Sequence, residues 1–449
     1  MATNNITFDP PAGRALQKRQ TGLFQSFRPV LPAIILFYSF LLPQEARIEV
    51  LDQVIYPYRG AIILLSPLII AWLVKGRIRF SYLDALVLFY ASWMILSFAG
   101  YYQNLGETAR SLPLVFDVLG PYIVARASIR SLHDLRIFLI AIAPAAFFAG
   151  ALITAESLTR TNLYRSAFAS AFGQLPYYVD GQITGSSFAA FQDYRLGLLR
   201  GQGPFYHPIH AGIVLSSLLT LYYFSGLKKW PMLLGLVAGA CSFFSLSSAA
   251  LLGLVMFVGL AFFDRITRLI DFLNWKQAII FGSLGIFIMQ ILSSNGLLSV
   301  ISSRLLNPRS GYIRMLIWQY GMESVSQNPW FGIGFNSYER RAGMTTSIDN
   351  HWLAVAVRHG VVPAVCILFV LIMVFVMLTT RNRNLPVHDR NLVVGLAIVL
   401  FTTCLIGFTV AFFASALTWF FLLLGLSVSL VVEKSGIPKV PQSASGLNG

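Results

Sequence analysis

Apolar residues along this chain gather into runs of about 15–20, divided by short polar segments and, in two places, by long ones. Runs fall near 30–43, 60–74, 82–100, 112–125, 136–155, 208–225, 230–246, 248–263, 278–293, 359–379, 391–410 and 412–432. A helix rises about 1.5 Å per residue, so roughly 20 apolar residues cross a bilayer core. The pattern therefore predicts an all-α, polytopic membrane protein of about 12 transmembrane helices. The first and fourth spans are the weakest. The first runs only from Val30 to Pro43, and the fourth carries Asp117 and the Gly120-Pro121 pair.

Residues 1–28, polar and containing Pro10-Pro11 and Gly13, are expected to form a disordered cytoplasmic tail. The tail is too long for a signal-peptide n-region, and no small-residue cleavage site follows it, so the first apolar run is expected to be retained. One transmembrane domain then covers 29–433, and 434–449 is a second cytoplasmic tail. Two outer loops, 156–207 and 294–358, are long and rich in Arg, Tyr, Phe and Trp, which argues for short amphipathic helices within them. The two halves share no repeat, which weakens a transporter built from related halves.

Composition agrees with a membrane class: 56% of residues are hydrophobic and only 11% charged, where a soluble domain carries about 25%. The net charge of +15 sits mostly in short loops between spans, where orientation signals belong, so no nucleic-acid partner is expected. With the N-terminus inside, every inner loop is net basic and both termini are cytoplasmic. That threading puts 20 of the 33 basic residues inside, including all seven lysines, and 13 outside, every one an arginine. Arginine's planar fork grips phosphate and carboxylate bidentately, so the outer face is expected to hold an anion. Cys241, Cys366 and Cys404 lie in apolar spans without metal-ligand spacing and read as inert packing.

Three outer motifs carry candidate chemistry. In Arg200-Gly-Gln-Gly-Pro-Phe-Tyr-His-Pro-Ile-His210, Gly201 and Gly203 permit close backbone approach, and Pro208 suits the first turn of an inward-running helix. Arg200 beside that positive helix end makes an anion site; the plainer reading is loop punctuation with an interfacial anchor. From Arg304 to Tyr338, Ser310 is placed to cap a helix carrying Arg314 in its first turn and Trp318 one turn on, and Asn328-Pro329 ends it before the Trp330-Phe-Gly-Ile-Gly334 hinge. The plainer alternative is a helix lying on the membrane with Arg314 on lipid headgroups. In Asp349-Asn350-His351-Trp352, Asn350 caps the helix leading into the tenth span and keeps His351 at a positive end, where a neutral imidazole suits a general base. His207, His210 and His359 read as ordinary hydrogen-bonded histidines.

At these residues the chain resembles the O-antigen ligase and O-antigen polymerase superfamily of bacterial surface-polysaccharide enzymes. The resemblance lies in Arg200-Gly-x-Gly-Pro-Phe-x-x-Pro, Ser310-Gly-x-x-Arg314, Asn328-Pro-Trp-Phe-Gly-Ile-Gly334, and Asn350-His351 with Gly360 nine residues on. It covers about 195–380 in motif and the whole chain in span layout. It implies metal-independent, inverting transfer of a glycan from a polyprenyl-pyrophosphate carrier to an acceptor, either a glycan or a lipid A core, at the periplasmic face of the inner membrane. It implies no cofactor and leaves room for other polysaccharide-assembly proteins as partners beside membrane lipids. Arg200 and Arg314 match the arginines that hold pyrophosphate, and His351 matches the histidine that activates the acceptor. Gly201, Gly203, Arg309, Ser310, Trp318, Gly332, Gly334, Asn350 and Arg358 complete the expected substrate-binding set. The family often places Asn after the histidine; here Trp352 follows and Asn350 precedes.

Outer aromatics Tyr177, Tyr178, Phe188 and Tyr194 suit sugar stacking or an interfacial belt equally. Asp117 within its span is a candidate arginine partner, and Glu323 lies on the second loop's helix. Rival readings are an exporter, a non-catalytic holder of a lipid-linked glycan, and a metal-dependent transferase using Glu45, Glu49 and Asp52.

Overall fold

The computed structural model describes residues 27–50, 53–179, 182–186, 193–270, 275, 277, 308–341, 344, 347–380 and 385–433. The architecture among them is almost wholly helical. Helices are Leu31–Tyr38 (α1), Pro57–Val74 (α2), Tyr82–Tyr102 (α3), Leu105–Ala109 (α4), Leu112–Ser128 (α5), Leu132–Thr159 (α6) and Tyr164–Phe172 (α7). Then come Pro208–Phe224 (α8), Lys229–Ala240 (α9), Ser248–Ile266 (α10), Pro308–Gln327 (α11), His351–His359 (α12), Val361–Thr380 (α13), Val387–Gly407 (α14) and Ala414–Glu433 (α15). Three antiparallel two-stranded hairpins interrupt the loops: Ile48–Val50 with Gln53–Ile55 (β1, β2), Pro176–Val179 with Gln182–Ser186 (β3, β4), and Tyr194–Arg195 with Leu198–Leu199 (β5, β6).

Among the described residues, seven helices (α2, α3, α6, α10, α13, α14 and α15) are long and apolar enough to cross a membrane. The protein is an all-helical, multi-pass membrane protein. Helix α15 lies at the centre: 94% of its apolar window is buried, and it packs on α5, α13, α8 and α14. A helix that is apolar all round belongs inside, where other helices cover every face. Gly425 lets α5 approach, since a Cβ there would stand 2.4 Å from Tyr122 O. At the rim, α10 has only 22% of its window buried, which leaves most of its apolar face for lipid.

Chain ends of helices follow local signals. Ser81 with Asp84, and Ser131 with Asp134, form reciprocal capping boxes at the starts of α3 and α6. Ion pairs lie inside the bundle, where burial favours pairing. Arg126 grips Asp84 at 2.8 and 3.0 Å while Tyr122 donates to the same carboxylate. Asp117 does find an arginine: Arg59 holds it at 2.6 and 2.7 Å.

Several sequence expectations change. The first span is short, α1 continuing only as a 3-10 turn to Leu41, and the seventh is α9 followed by a 3-10 turn at Cys241–Ser245. The tenth span does not begin at 359, because the backbone breaks at Gly360 (φ +86) between α12 and α13. Helix α11 starts at Pro308, so Ser310 lies inside it instead of capping it, and Arg314 falls in its second turn. The ninth span, 278–293, lies outside the described residues, as do Phe188, Asp52 and the side chains of Arg309, Ser310, Tyr177 and Tyr178.

Candidate functional site

Glu156, fully buried near the end of α6, organises the first motif. Its Oε2 accepts from the backbone amides of Gln202 at 3.1 Å and Gly203 at 2.7 Å, and its Oε1 from Leu163 and Tyr164 at 3.2 and 3.3 Å. A carboxylate with several backbone donors is a strong pin, helped here by the adjacent start of α7. The two glycines are explained by this docking. A Cβ on Gly201 would meet Ile153 O at 2.3 Å, and Gly203 sits at φ +54 with Ile153 Cγ1 3.0 Å from its virtual Cβ. Gly201 and Gly203 therefore serve approach to α6, and the Gly203 amide is taken by a protein carboxylate instead of a ligand.

Arg165 completes the scaffold. Wholly buried, it pairs with Glu45 and donates to Gln202 Oε1 and the Tyr206 carbonyl. Glu45 is thus committed to an arginine, and Glu49 pairs with Arg47 at 3.1 Å. Arg165 and Arg59, two of the arginines expected on the outer face, are thus used in pairs inside the protein. The arginine fork suits buried carboxylates as well as it suits a substrate anion.

Three arginines are less well matched. The β5–β6 hairpin turns through Leu196 (φ 54) and Gly197 (φ 76), the left-handed pair of a two-residue turn. It sets Asp193, Arg195 and Arg200 side by side. Arg195 Nε and Arg200 Nη1 approach the same Asp193 oxygen, at 3.6 and 3.2 Å. Arg200 is otherwise buried, and its Nε has no hydrogen-bond partner among the described residues. Burial and the neighbouring Arg195 charge push its pKa down to about 10. Arg314, on α11, also has a lowered pKa: desolvation lowers it, Asp349 opposes this, and Arg195 adds repulsion. Its Nη1 is buried without a hydrogen-bond partner among the described residues. Arg195, Arg200 and Arg314 thus share one electrostatic neighbourhood.

The third motif folds as expected at its start. Asn350 Oδ1 accepts from Leu353 N at 3.0 Å and caps α12. Its far end explains the glycine-hinged turn. Ile333 N and Gly334 N donate to the Val357 and Arg358 carbonyls at 2.8 and 3.1 Å, and Trp93 Nε1 donates to the His359 carbonyl at 3.1 Å. These are carbonyls that a helix C-terminus leaves open. Gly332 (φ +64) and Gly334 (φ +61) let the turn press against Arg358 and Tyr102, where a Cβ would stand 2.5 and 2.4 Å away. So Gly332 and Gly334 cap a helix; nothing in their geometry reserves them for substrate. Arg358 is exposed, with its guanidinium 5.7 Å from the Phe335 ring centre. Trp318 is half-buried against the core and Glu323 is exposed.

His351 is buried, 6% exposed. Its ring stacks on Phe412 with centroids 4.6 Å apart, and the Phe412 amide donates to its Nδ1 at 3.4 Å. With Nδ1 accepting, a neutral ring carries its proton on Nε2. Burial, aided by the Arg358 charge, pushes its pKa down to about 3. The imidazole is neutral, as the sequence suggests, but the burial that keeps it neutral also makes it a weak proton acceptor. Trp352 fixes the helix by donating from Nε1 to the Cys404 carbonyl at 3.0 Å.

The segment between α14 and α15 joins the motifs. Phe412 lies on His351, while Phe413 sits 4.2 Å from the His210 ring and 6.3 Å from that of His207. Ser415 Oγ lies 3.2 Å from His210 Nδ1. His207 caps α8 by accepting from Ile209 N at 3.1 Å, and His359 Nδ1 meets Ser97 Oγ at 2.9 Å. These three histidines are hydrogen-bonded structural residues, as expected. Sequence reasoning missed Phe412, Phe413 and Ser415, which lie at the junction of two apolar spans where aromatic residues and a lone serine read as ordinary membrane packing. It also passed over Arg195, Asp349 and Glu156. A carboxylate at the end of an apolar span was the available signal for the last.

No protein-family model matches this chain, and a search of curated proteins returns no match.

Proposed function

We infer that this protein transfers a glycan from a polyprenyl-diphosphate carrier to an acceptor sugar hydroxyl. One observation carries the reading. Arg195 and Arg200 share one carboxylate oxygen of Asp193, the Arg195 charge also reaches Arg314, and buried guanidinium nitrogens on Arg200 and Arg314 lack a hydrogen-bond partner among the described residues. Crowded, partly desolvated arginines are stabilised by a multivalent anion, and a diphosphate offers more acceptor oxygens than the carboxylates at hand.

In the reaction, the bond from the anomeric carbon to the diphosphate breaks and the acceptor oxygen bonds to that carbon. The diphosphate leaves with the electron pair, and the acceptor's proton passes to the departing diphosphate or to water. Fixed guanidinium groups favour the charge that builds on the leaving group. His351 belongs to the acceptor's side of this reading. As a neutral ring with its proton on Nε2, it orients the acceptor by donating a hydrogen bond, in place of the general-base role suggested by the sequence. The proposal includes twelve spans, both termini cytoplasmic and the site on the periplasmic face of a bacterial inner membrane.

Deleting the gene and resolving surface polysaccharide on gels tests this. Loss of all long chains with carrier-linked polymer accumulating indicates a ligase, and single-repeat caps indicate a polymerase. Unchanged polysaccharide together with normal carrier-linked pools overturns the reading.

A further inference from the structure

The ion pairs of this protein differ in how firmly they are closed. Glu45 opposite Arg165 is fully buried, and Asp117 opposite Arg59 is nearly so. Breaking either strands a buried charge, so both are permanent. The Asp193 side chain is 51% exposed, while the Arg200 side chain beneath it is only 9% exposed. Its carboxylate can swing into water at little cost, and the arginine cannot follow.

Geometry around Asp193 also resembles an anion site with a weak occupant. A single carboxylate oxygen is shared between Arg195 Nε and Arg200 Nη1 at 3.6 and 3.2 Å, both long for charge-assisted contacts. Arg200 Nε is left without a hydrogen-bond partner among the described residues. Arg195 is anchored independently of the Asp193 carboxylate, its Nη1 donating to the Leu246 carbonyl at 3.1 Å, while the Arg200 side chain is confined by burial at 9% exposure. The Leu246 bond and that burial limit how far the two guanidinium groups move when the carboxylate swings away. A preformed clamp of this kind loses little entropy when a ligand arrives.

We propose that Asp193 is an internal counter-ion occupying the place of a phosphate oxygen between Arg195 and Arg200, displaced when a diphosphate binds, and that Arg195 is the third arm of the arginine clamp. The substrate class rests on the function inferred above; the exchange of one anion for another does not. Asp193 then sets donor affinity. It offsets part of the charge of the empty clamp and competes with weak anions, so that a ligand with several phosphate oxygens is favoured over a weak one.

The test uses the purified full-length protein in nanodiscs and two probes, undecaprenyl diphosphate and inorganic pyrophosphate. Removing the competing carboxylate with Asp193→Asn is expected to tighten binding of both by roughly three- to tenfold, the scale of one partly exposed charge-assisted contact. Arg195→Ala is expected to weaken both by about tenfold or more on the same scale. Thermal melts check folding, and Arg195→Gln replaces the alanine variant where that one does not fold. A folded Asp193→Asn protein that binds the probes equally or less well overturns the counter-ion, and an Arg195 variant with normal affinity overturns the third arm. Wild-type protein that binds pyrophosphate with the expected Asp193 response but transfers no glycan sinks the function and leaves the exchange standing. Wild-type protein that binds neither probe sinks both.

Discussion

A buried imidazole whose Nδ1 faces the Phe412 amide carries its proton on Nε2, the atom that the proposed function assigns to the acceptor. On the proposed reading, replacement of His351 by alanine removes one oriented hydrogen bond and is expected to cost roughly 10- to 100-fold in transfer rate, with donor binding unchanged because the arginines are proposed to supply that affinity. His351→Gln places an N–H near the Nε2 position but cannot take up a proton. It is expected to keep well over a tenth of the activity, and a glutamine variant as dead as alanine would restore the general-base role. The same residue shapes acid stability. Its folded pKa of about 3 lies below the ordinary 6.5, so above the unfolded value it costs nothing. As pH falls toward the folded value the unfolded chain takes up a proton that the folded one refuses. By about pH 5 this group should have removed about 2 kcal/mol, a loss that His351→Gln escapes in melts at pH 7 and pH 5. For the clamp, Arg200→Lys and Arg314→Lys keep charge and lose the fork. Each should lose most activity, and full activity in either would reduce that residue to an electrostatic anchor.

Helix α12 is nine residues long, too short to hold itself, and its position depends on both ends. Asn350 closes the N-terminus, and the Trp330–Gly334 turn closes the C-terminus through Ile333 N and Gly334 N. Gly360 permits the break into α13 at φ +86, where a Cβ would stand 2.1 Å from Trp330 O. Gly360→Ala combines a disfavoured backbone with a backbone clash. It should cost at least about 2 kcal/mol in detergent melts and move His351 off its Phe412 stack. An alanine variant with wild-type melting and activity would show that this break is not what holds α12. Glu156 does the corresponding work for the first motif, since its four amide contacts fasten the loop that carries Arg200.

Across the whole molecule, the last helix and the loop before it gather what the chain scatters. Phe412 touches the third motif, Phe413 and Ser415 touch the first, and α15 then runs through the centre of the bundle. Orientation of that bundle is expected to follow the charge in its short loops, with basic residues on the cytoplasmic side. Reporters fused after Lys229 and Arg383 are expected to read cytoplasmic, and those after Arg165 and Arg309 periplasmic. Any exchange between these sets would put the arginine clamp on the wrong side for a periplasmic donor.

Segment length and apolarity were enough to specify a helical membrane protein, because a backbone in hydrocarbon must satisfy its own hydrogen bonds. Local chemistry likewise announced the Asn350 cap, a buried Asp117 in need of an arginine, and glycine positions where the backbone turns. Each of these depends on residues within a few positions or on a rule that holds for any buried group. The sequence by itself did not say which arginines were free. That depends on where the carboxylates of distant segments arrive, Glu45 at Arg165 and Asp193 at Arg200. The glycines were legible as turns, but whether a ligand or another helix fills the space beside them was decided by α6 and α12 packing there. The state of His351 was likewise settled by an amide sixty-one residues away. Long-range packing brings these partners together, and no local pattern of residues encodes it.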